Sequence, residues 1–312
     1  MPHDTLLLPS CERFAGLTLP DPLARALGRA DRVTAVTAAG DPPAGVFDIL
    51  PRGWPAAAAT RQRDAGDAGD AQWLRADPAY VRPDINGARL LGYGPALGLD
   101  REDVDALLPA LQPLFGDAGM ALDAPAPTRW YLRLARGARL PRFVAPEVAL
   151  GADLFDHLGA DDTSADARRW RALLSEAQVI LHNHPHNARR AERGRVPVNS
   201  LWFWGAGVLP TAVRSGYRAL RTRDDALDAF ARLAGVPVEA PAAHWSAGEG
   251  ERLIDLRDIR DGEALVSDWL APAAAALRAG GSLRLRLDDG LEFVVRPNQR
   301  WRLWRRPLRA LA

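Results

Sequence analysis

Lysine is absent from this chain of 312 residues: every one of its 40 Lys+Arg positions is arginine. No mechanism that needs a Schiff-base or phosphate-clamping lysine is therefore open to it. Cysteine is nearly absent too. Cys11 stands alone, which excludes an intramolecular disulfide and any CxxC metal or redox pair. No apolar run approaches the ~18 residues a membrane span needs. The longest candidate, Leu265 to Leu277, is broken by Ser267, Asp268 and Pro272. The opening MPHDTLLLPSC has no basic region ahead of its three leucines, so it does not read as a signal peptide. A soluble cytoplasmic protein without a membrane partner is the expectation. Excess charge is missing as well: 40 basic and 39 acidic residues leave +1, so no overall field steers the chain toward nucleic acid. G-x-S-x-G, Walker and H-E-x-x-H motifs do not occur.

What remains is a composition of 47% hydrophobic and 25% charged residues, which excludes disorder and fits a packed core. The length predicts roughly two domains, or one large domain with an insert. Thr5–Leu8 reads as a short buried strand stopped by Pro9-Ser10. Pro22–Arg32 reads as a helix with Leu23, Leu27 and Val33 on one face. Residues 1–60 form an N-terminal strand and helix region, and the AGD-repeating stretch 61–71 is the best linker. Residues 72–150 read as a small α+β unit. In it, strands WLRADPAY and ARLLGY flank an Asn86-Gly87 turn, and Asp100 caps a helix bearing Val104, Leu107, Leu108 and Leu111. Residues 151–312 read as an α/β core. A helix over 165–181, a short helix closed by Gly194 and a central strand Val196–Trp204 lead to helix 224–234. A strand at 252–256, a helix over 263–278 and a C-terminal meander follow, its last strand at 301–305.

One segment concentrates chemistry. Residues 176–210, EAQVILHNHPHNARRAERGRVPVNSLWFWGAGVLP, hold three histidines, clustered arginines and a Gly-x-Gly turn. Arg189, Arg190, Arg193 and Arg195 offer forked donors for phosphate or carboxylate, and Asn187 and Asn199 can orient hydroxyls. Gly205 and Gly207 allow a backbone to approach a ligand closely. The competing reading is structural: a common turn, Trp202 and Trp204 in a core, and arginines on a solvated helix.

The segment resembles archaeal-type, cofactor-independent phosphoglycerate mutases at Asn187, Arg190, Asn199, Trp202, Trp204, Gly205 and Gly207. Over about residues 70–312 the chain more closely resembles a bacterial family of mutase-related regulatory proteins, the RpfE type. Trp73–Pro78, Trp130–Leu134 and the NSLWFWG loop carry that likeness. The resemblance implies a layered, mainly parallel α/β fold of the alkaline phosphatase superfamily with a small α+β insert. It also implies a serine phosphoryl acceptor and two divalent metals on Asp and His clusters. The sequence departs from that pattern. The first strand runs into Pro9-Ser10-Cys11-Glu12 without the Asp-Gly segment, and His244 is the only histidine after residue 200. Two metals need about six to eight protein ligands.

Other candidates fill parts of that gap. Asp153 and His157 lie four apart, as a metal pair or a surface pair. His182, His184 and His186 alternate around Pro185. On an extended chain they could bind zinc; at a helix end they face its negative dipole instead. His184 or His186 could act as acid or base, and Ser10 is an acceptor by position. The last residues, 296–312, carry six arginines, no acid, Trp301 and Trp304. They read as an edge strand with tryptophans inward, or as a surface for nucleic acid or membrane. The resulting expectation is a degenerate mutase-like protein, non-catalytic, with no cofactor, regulating or sensing a small phosphorylated or carboxylate ligand or a protein partner. The alternatives are an active mutase using manganese or zinc, and a nucleic-acid-associated regulator.

Overall fold

A computed structural model describes residues 2–34, 45–84, 87–151, 164–277 and 281–311. It divides into two compact units, Met1–Asp48 with Ala212–Ala312, and Ile49–Thr211. In chain order the strands are β1 (Pro2–Leu8), β2 (Asp31–Thr34), β3 (Asp48–Leu50), β4 (Gln72–Asp84), β5 (Gly87–Tyr93), β6 (Ala121–Ala126), β7 (Arg129–Leu134), β8 (Ser200–Val208), β9 (Ala212–Arg214), β10 (Ala219–Arg221), β11 (Val238–Glu239), β12 (Gly250–Asp255), β13 (Ser282–Leu287) and β14 (Leu291–Val295). The fold is mixed α/β, with a largely parallel sheet in the first unit.

That sheet runs β11-β10-β12-β1-β13-β14-β2. Pairings from β11 through β13 are parallel, and β14 and β2 add an antiparallel edge. The short apolar run of β1 suits its place between β12 and β13, because a parallel strand covered on both faces needs no polar alternation. Leu6, Leu7 and Leu8 are all buried. Helix α1 (Asp21–Arg29) lays Leu23, Ala24 and Leu27 on this core; each leucine contributes about 2 kcal/mol of burial. Val33, expected on that helix face, sits instead on β2 and is exposed, because the helix stops at Arg29.

The expected helix over 263–278 forms as Gly262–Ala264, a wide π turn Leu265–Leu270 and Ala271–Ala275. Pro272 explains the irregularity. It has no N–H to give residue 268 and its ring crowds that carbonyl. The freed Asp268 carbonyl accepts from the Trp245 N–H at 2.8 Å. Residues 297–301 form a 3-10 turn, and no strand follows at 301–305. Trp301 and Trp304 consequently point outward, against the inward packing expected of them.

In the second unit, β5-β4-β7-β6 form an antiparallel sheet, and β8 pairs with β4. The β4–β5 hairpin forms as expected, while Asn86 falls outside the described residues. Strand β8 is buried on both faces from Ser200 to Trp204 as its composition predicts, but β4 is its only sheet partner among the described residues, so it is not central. Helix α2 (Ala56–Ala65) occupies much of the expected linker, ending on Gly66 at φ 73°. Arg61 within it is buried, because Asp67 and Asp123 match its charge. Helix α3 (Arg101–Asp117) opens with the predicted Asp100 cap: Asp100 and Asp103 each accept from the other's backbone N–H at 3.1 Å. The Ala165–His182 helix is capped by Ser164 and buries Trp170, Leu173, Leu174, Ala177 and Leu181.

Candidate functional site

The segments Trp73–Pro78, Trp130–Leu134 and Asn199–Gly205 meet beneath α2. Alternation along β8 sends Leu201 and Phe203 into the core with Trp170, whose ring lies 5.0 Å from that of Phe203. It sends Trp202 and Trp204 to the other face. Trp202 Nε1 donates to the Val144 carbonyl at 3.0 Å, and Trp204 Nε1 to Asp77 Oδ2 at 2.7 Å. Arg75 forks onto both oxygens of Asp77 at 2.8 Å. Its guanidinium lies between the rings of Tyr131 and Trp204, 5.4 and 5.0 Å from their centroids. Tyr131 then donates to Asp64 of α2 at 2.6 Å, and Arg61 of α2 stacks over Trp73 at 4.7 Å. This is a ladder of arginines and aromatic rings that fixes the helix on the sheet.

Gly205 and Gly207 complete that contact. A Cβ on Gly207 would come within 2.5 Å of Pro55 Cβ, and one on Gly205 within 3.0 Å of Ala56 Cβ. The close backbone approach expected for a ligand is made to the start of α2.

The histidine- and arginine-rich stretch is likewise tied inward. His184 caps the Pro185–Glu192 helix through Nδ1, which accepts from the His186 N–H at 3.2 Å. Partial burial, with positive neighbours, holds the His184 imidazole below its ordinary range. His186 Nε2 meets Asp103 Oδ1 at 2.7 Å. Arg190 is fully buried and donates to Asp103 at 2.6 Å, the Leu97 carbonyl at 2.7 Å and the Val196 carbonyl at 3.0 Å. Burial opposes ionisation of Asp103, yet Arg190, His186 and the helix cap hold its carboxyl below the usual range. Asn187 bridges Leu181 and Val198, and Asn199 pairs with both backbone groups of Val81. Arg193 meets Glu102 on the surface at 3.1 Å. Arg189 is exposed, with no ion-pair partner among the described residues.

Asn187 and Asn199 do border a cavity of about 340 Å³. Tyr80, Val81, Pro83 and Pro197 give it apolar walls, and Arg82 and His182 supply polar groups.

A second candidate lies at the carboxyl end of the parallel strands, where α/β sheets characteristically place ligands. Ser10 follows β1 there and heads a 3-10 turn without a side-chain cap bond. Asp289 accepts from the Cys11 N–H at 2.8 Å. Beside it, Arg257 forks onto Asp255 at 2.8 and 2.9 Å, with Asp224 at 3.4 Å and Asp288 at 3.9 Å. Thr222 also donates to Asp255. Burial lifts the Asp224 and Asp288 carboxyls above their ordinary range against the pull of Arg257, and Asp255 adds to the lift. Sequence reading missed this group. Its signal was an acid at each strand exit, in TRDD, DLRD and LDDG.

Comparison with known proteins gives the chain its relatives. No family model matches it. It is 39% identical over 67 residues to a probable 2,3-bisphosphoglycerate-independent phosphoglycerate mutase of Geobacter sulfurreducens, covering 22% of this chain. It is 29% identical over 140 residues, 45% of the chain, to such a mutase of Methanothrix thermoacetophila. Part of this chain is homologous to cofactor-independent phosphoglycerate mutases. The matched stretches span only 16% and 32% of those two enzymes. Among solved structures, the cofactor-independent phosphoglycerate mutase from Thermoplasma acidophilum aligns with 95% of this chain and 89% of its own, at TM-score 0.41 and 16% identity.

The likeness to these mutases raises the question of divalent metals. The carboxyl edge does not fit them: a fixed guanidinium already sits among its acids. Among the described residues, no group of three or more histidine, cysteine or acidic side chains is arranged to hold an ion. Asp153 and His157 lie outside the described residues.

Proposed function

We propose that this chain is a phosphoglycerate-mutase-like regulatory or sensing protein that binds a small phosphorylated or carboxylate ligand without isomerising it. The observation that carries the reading is Arg257 seated among Asp224, Asp255 and Asp288. Metal-assisted phosphoryl transfer uses free carboxylates to collect divalent charge, which then polarises the phosphoryl oxygens and the nucleophile. Here one tethered cation takes both oxygens of Asp255, and a metal ion would be placed against a positive charge. The cavity bordered by Asn187 and Asn199 supports the binding half. Its volume suits a small molecule, and Arg82 and His182 offer donors for an anion. Both asparagine amides are engaged by backbone, so recognition falls to Arg82, His182 and the Tyr80 hydroxyl.

The test is calorimetric titration with 3-phosphoglycerate, together with a mutase assay in excess manganese without bisphosphoglycerate. Binding without turnover is expected, weakened about tenfold or more by Arg82→Ala. Turnover abolished by a chelator overturns the non-catalytic reading, and absence of any binding overturns the ligand assignment.

A further inference from the structure

The turn following β14 shows solvent what soluble proteins generally hide. Trp301, Leu303 and Trp304 are 67%, 72% and 78% exposed, three large apolar side chains within four residues. Between and around them stand Arg300, Arg302, Arg305 and Arg306, and no acid occurs from 296 onward.

The turn is also held firmly. Arg302 donates to Asp31 at 2.6 Å and to the Arg29 carbonyl at 3.0 Å. Gln299 donates to Asp31 and to the Val294 carbonyl, each at 3.1 Å. Beyond the turn, the Leu308 N–H reaches Ala24 at 2.8 Å, and Arg309 accepts from the Leu19 N–H at 2.9 Å. The segment lies so close on α1 that a Cβ on Gly28 would meet the Arg306 carbonyl at 2.2 Å. Hydrogen bonds absorb Asp31, the nearest acid, into the support. Arg300 and Arg306 stay exposed.

We propose that the 300–306 turn is a peripheral docking point for an anionic phospholipid surface. Tryptophan and arginine both have an apolar body and a polar end, the division an interface between headgroups and acyl chains rewards. Arginines add attraction to anionic headgroups. Two features favour lipid over single-stranded nucleic acid. Leu303, the middle of the apolar trio, has no face on which a base can stack. Arg300 already covers one face of Trp301 at 4.9 Å, where a stacking platform would need it open. A second copy docking through the same patch would bring like charges together. Three side chains with flanking arginines make a superficial and reversible contact.

The experiment is co-sedimentation of the full chain with vesicles of phosphatidylcholine alone or mixed with phosphatidylglycerol. Binding is expected to the mixed vesicles and to fall with added salt. R300Q/R306Q is expected to weaken it about thirtyfold. W301A/L303A/W304A is expected to abolish it while leaving the circular dichroism and melting temperature unchanged, since all three side chains are exposed. Equal binding to both vesicle types, no binding to either, or full binding by the triple variant overturns the proposal. Retention on single-stranded DNA or RNA without vesicle binding, or dimerisation lost in the triple variant, reassigns the patch and overturns it as well.

Discussion

Replacing Arg190 with alanine separates two roles that a conspicuous arginine can have. A ligand-binding arginine is dispensable for folding, and its loss is felt only when ligand is added. Arg190 instead holds three internal acceptors, at 2.6, 2.7 and 3.0 Å, from a fully buried position. Its removal leaves Asp103 charged and 1% exposed, without its closest cation and with only His186, the Asp100 N–H at 3.1 Å and Arg195 at 3.5 Å around it. It also strips the Leu97 and Val196 carbonyls of a donor. Breaking a buried ion pair from one side costs about 3–5 kcal/mol, and each stranded carbonyl adds to that. We take about 4 kcal/mol as the expected loss, since the vacated space admits some solvent. At about 3 °C per kcal/mol for a domain of this size, the melting temperature drops by about 12 °C. In urea, with a slope near 2 kcal/mol per molar, the midpoint falls by about 2 M. Both are measured without ligand, by tryptophan fluorescence and by calorimetry. Arg190→Lys keeps the charge but not the fork, and should fall between wild type and alanine. A loss under about 1 kcal/mol for Arg190→Ala would refute the reasoning, because no arginine with three buried acceptors is worth so little.

Four further outcomes are expected. Gly207→Ala forces Pro55 away from a strand whose φ of 154° already disfavours a side chain; we expect about 2–4 kcal/mol of destabilisation by thermal melting. Gly16→Ala, which meets nothing within 4 Å, should cost only the left-handed penalty of about 1–2 kcal/mol. The carboxyls of Asp103 and Asp64 are held below their unfolded values. The stability they supply is fully present above about pH 4 and is lost as pH falls through their folded values. The urea midpoint should therefore drop on acidification and drop less steeply in Asp103→Asn; a pH-independent midpoint contradicts this. Burial and the neighbouring Asp289 push the Cys11 thiol up to about 12. Native protein should react with iodoacetamide at pH 8 at least about a hundredfold more slowly than unfolded protein, and parity would show that the thiol is not so protected.

Much of the secondary structure was legible because local rules coincide with tertiary packing. The cap at Asp100, the helix over 165–182, the β4–β5 hairpin and the exit of β1 at Pro9 each carry a signal within a few residues. What escaped reading depends on distant partners. The AGD repeat looks solvated, yet Arg61 is buried because Asp123 and Asp67 reach it and Trp73 covers it. Residues 301–305 alternate like a strand, but Arg302 turns back to Asp31 and the tryptophans swing outward. The candidate site divides the same way. Residue types in 176–210 are those an anion site would use. Their donors, however, are consumed by Asp103 and by backbone carbonyls that no local pattern reveals. The Arg257 group is assembled from three strand exits far apart in the sequence.

Strand β1 pairs on one side with residues 250–255 and on the other with 282–287. As the chain leaves a ribosome, β1 therefore has no sheet neighbour until residues 250–255, more than 240 positions later, have been made. The intervening 49–211 unit pairs within itself and is free to fold first. Until those partners emerge, the apolar Leu6-Leu7-Leu8 segment waits uncovered, a target for chaperones.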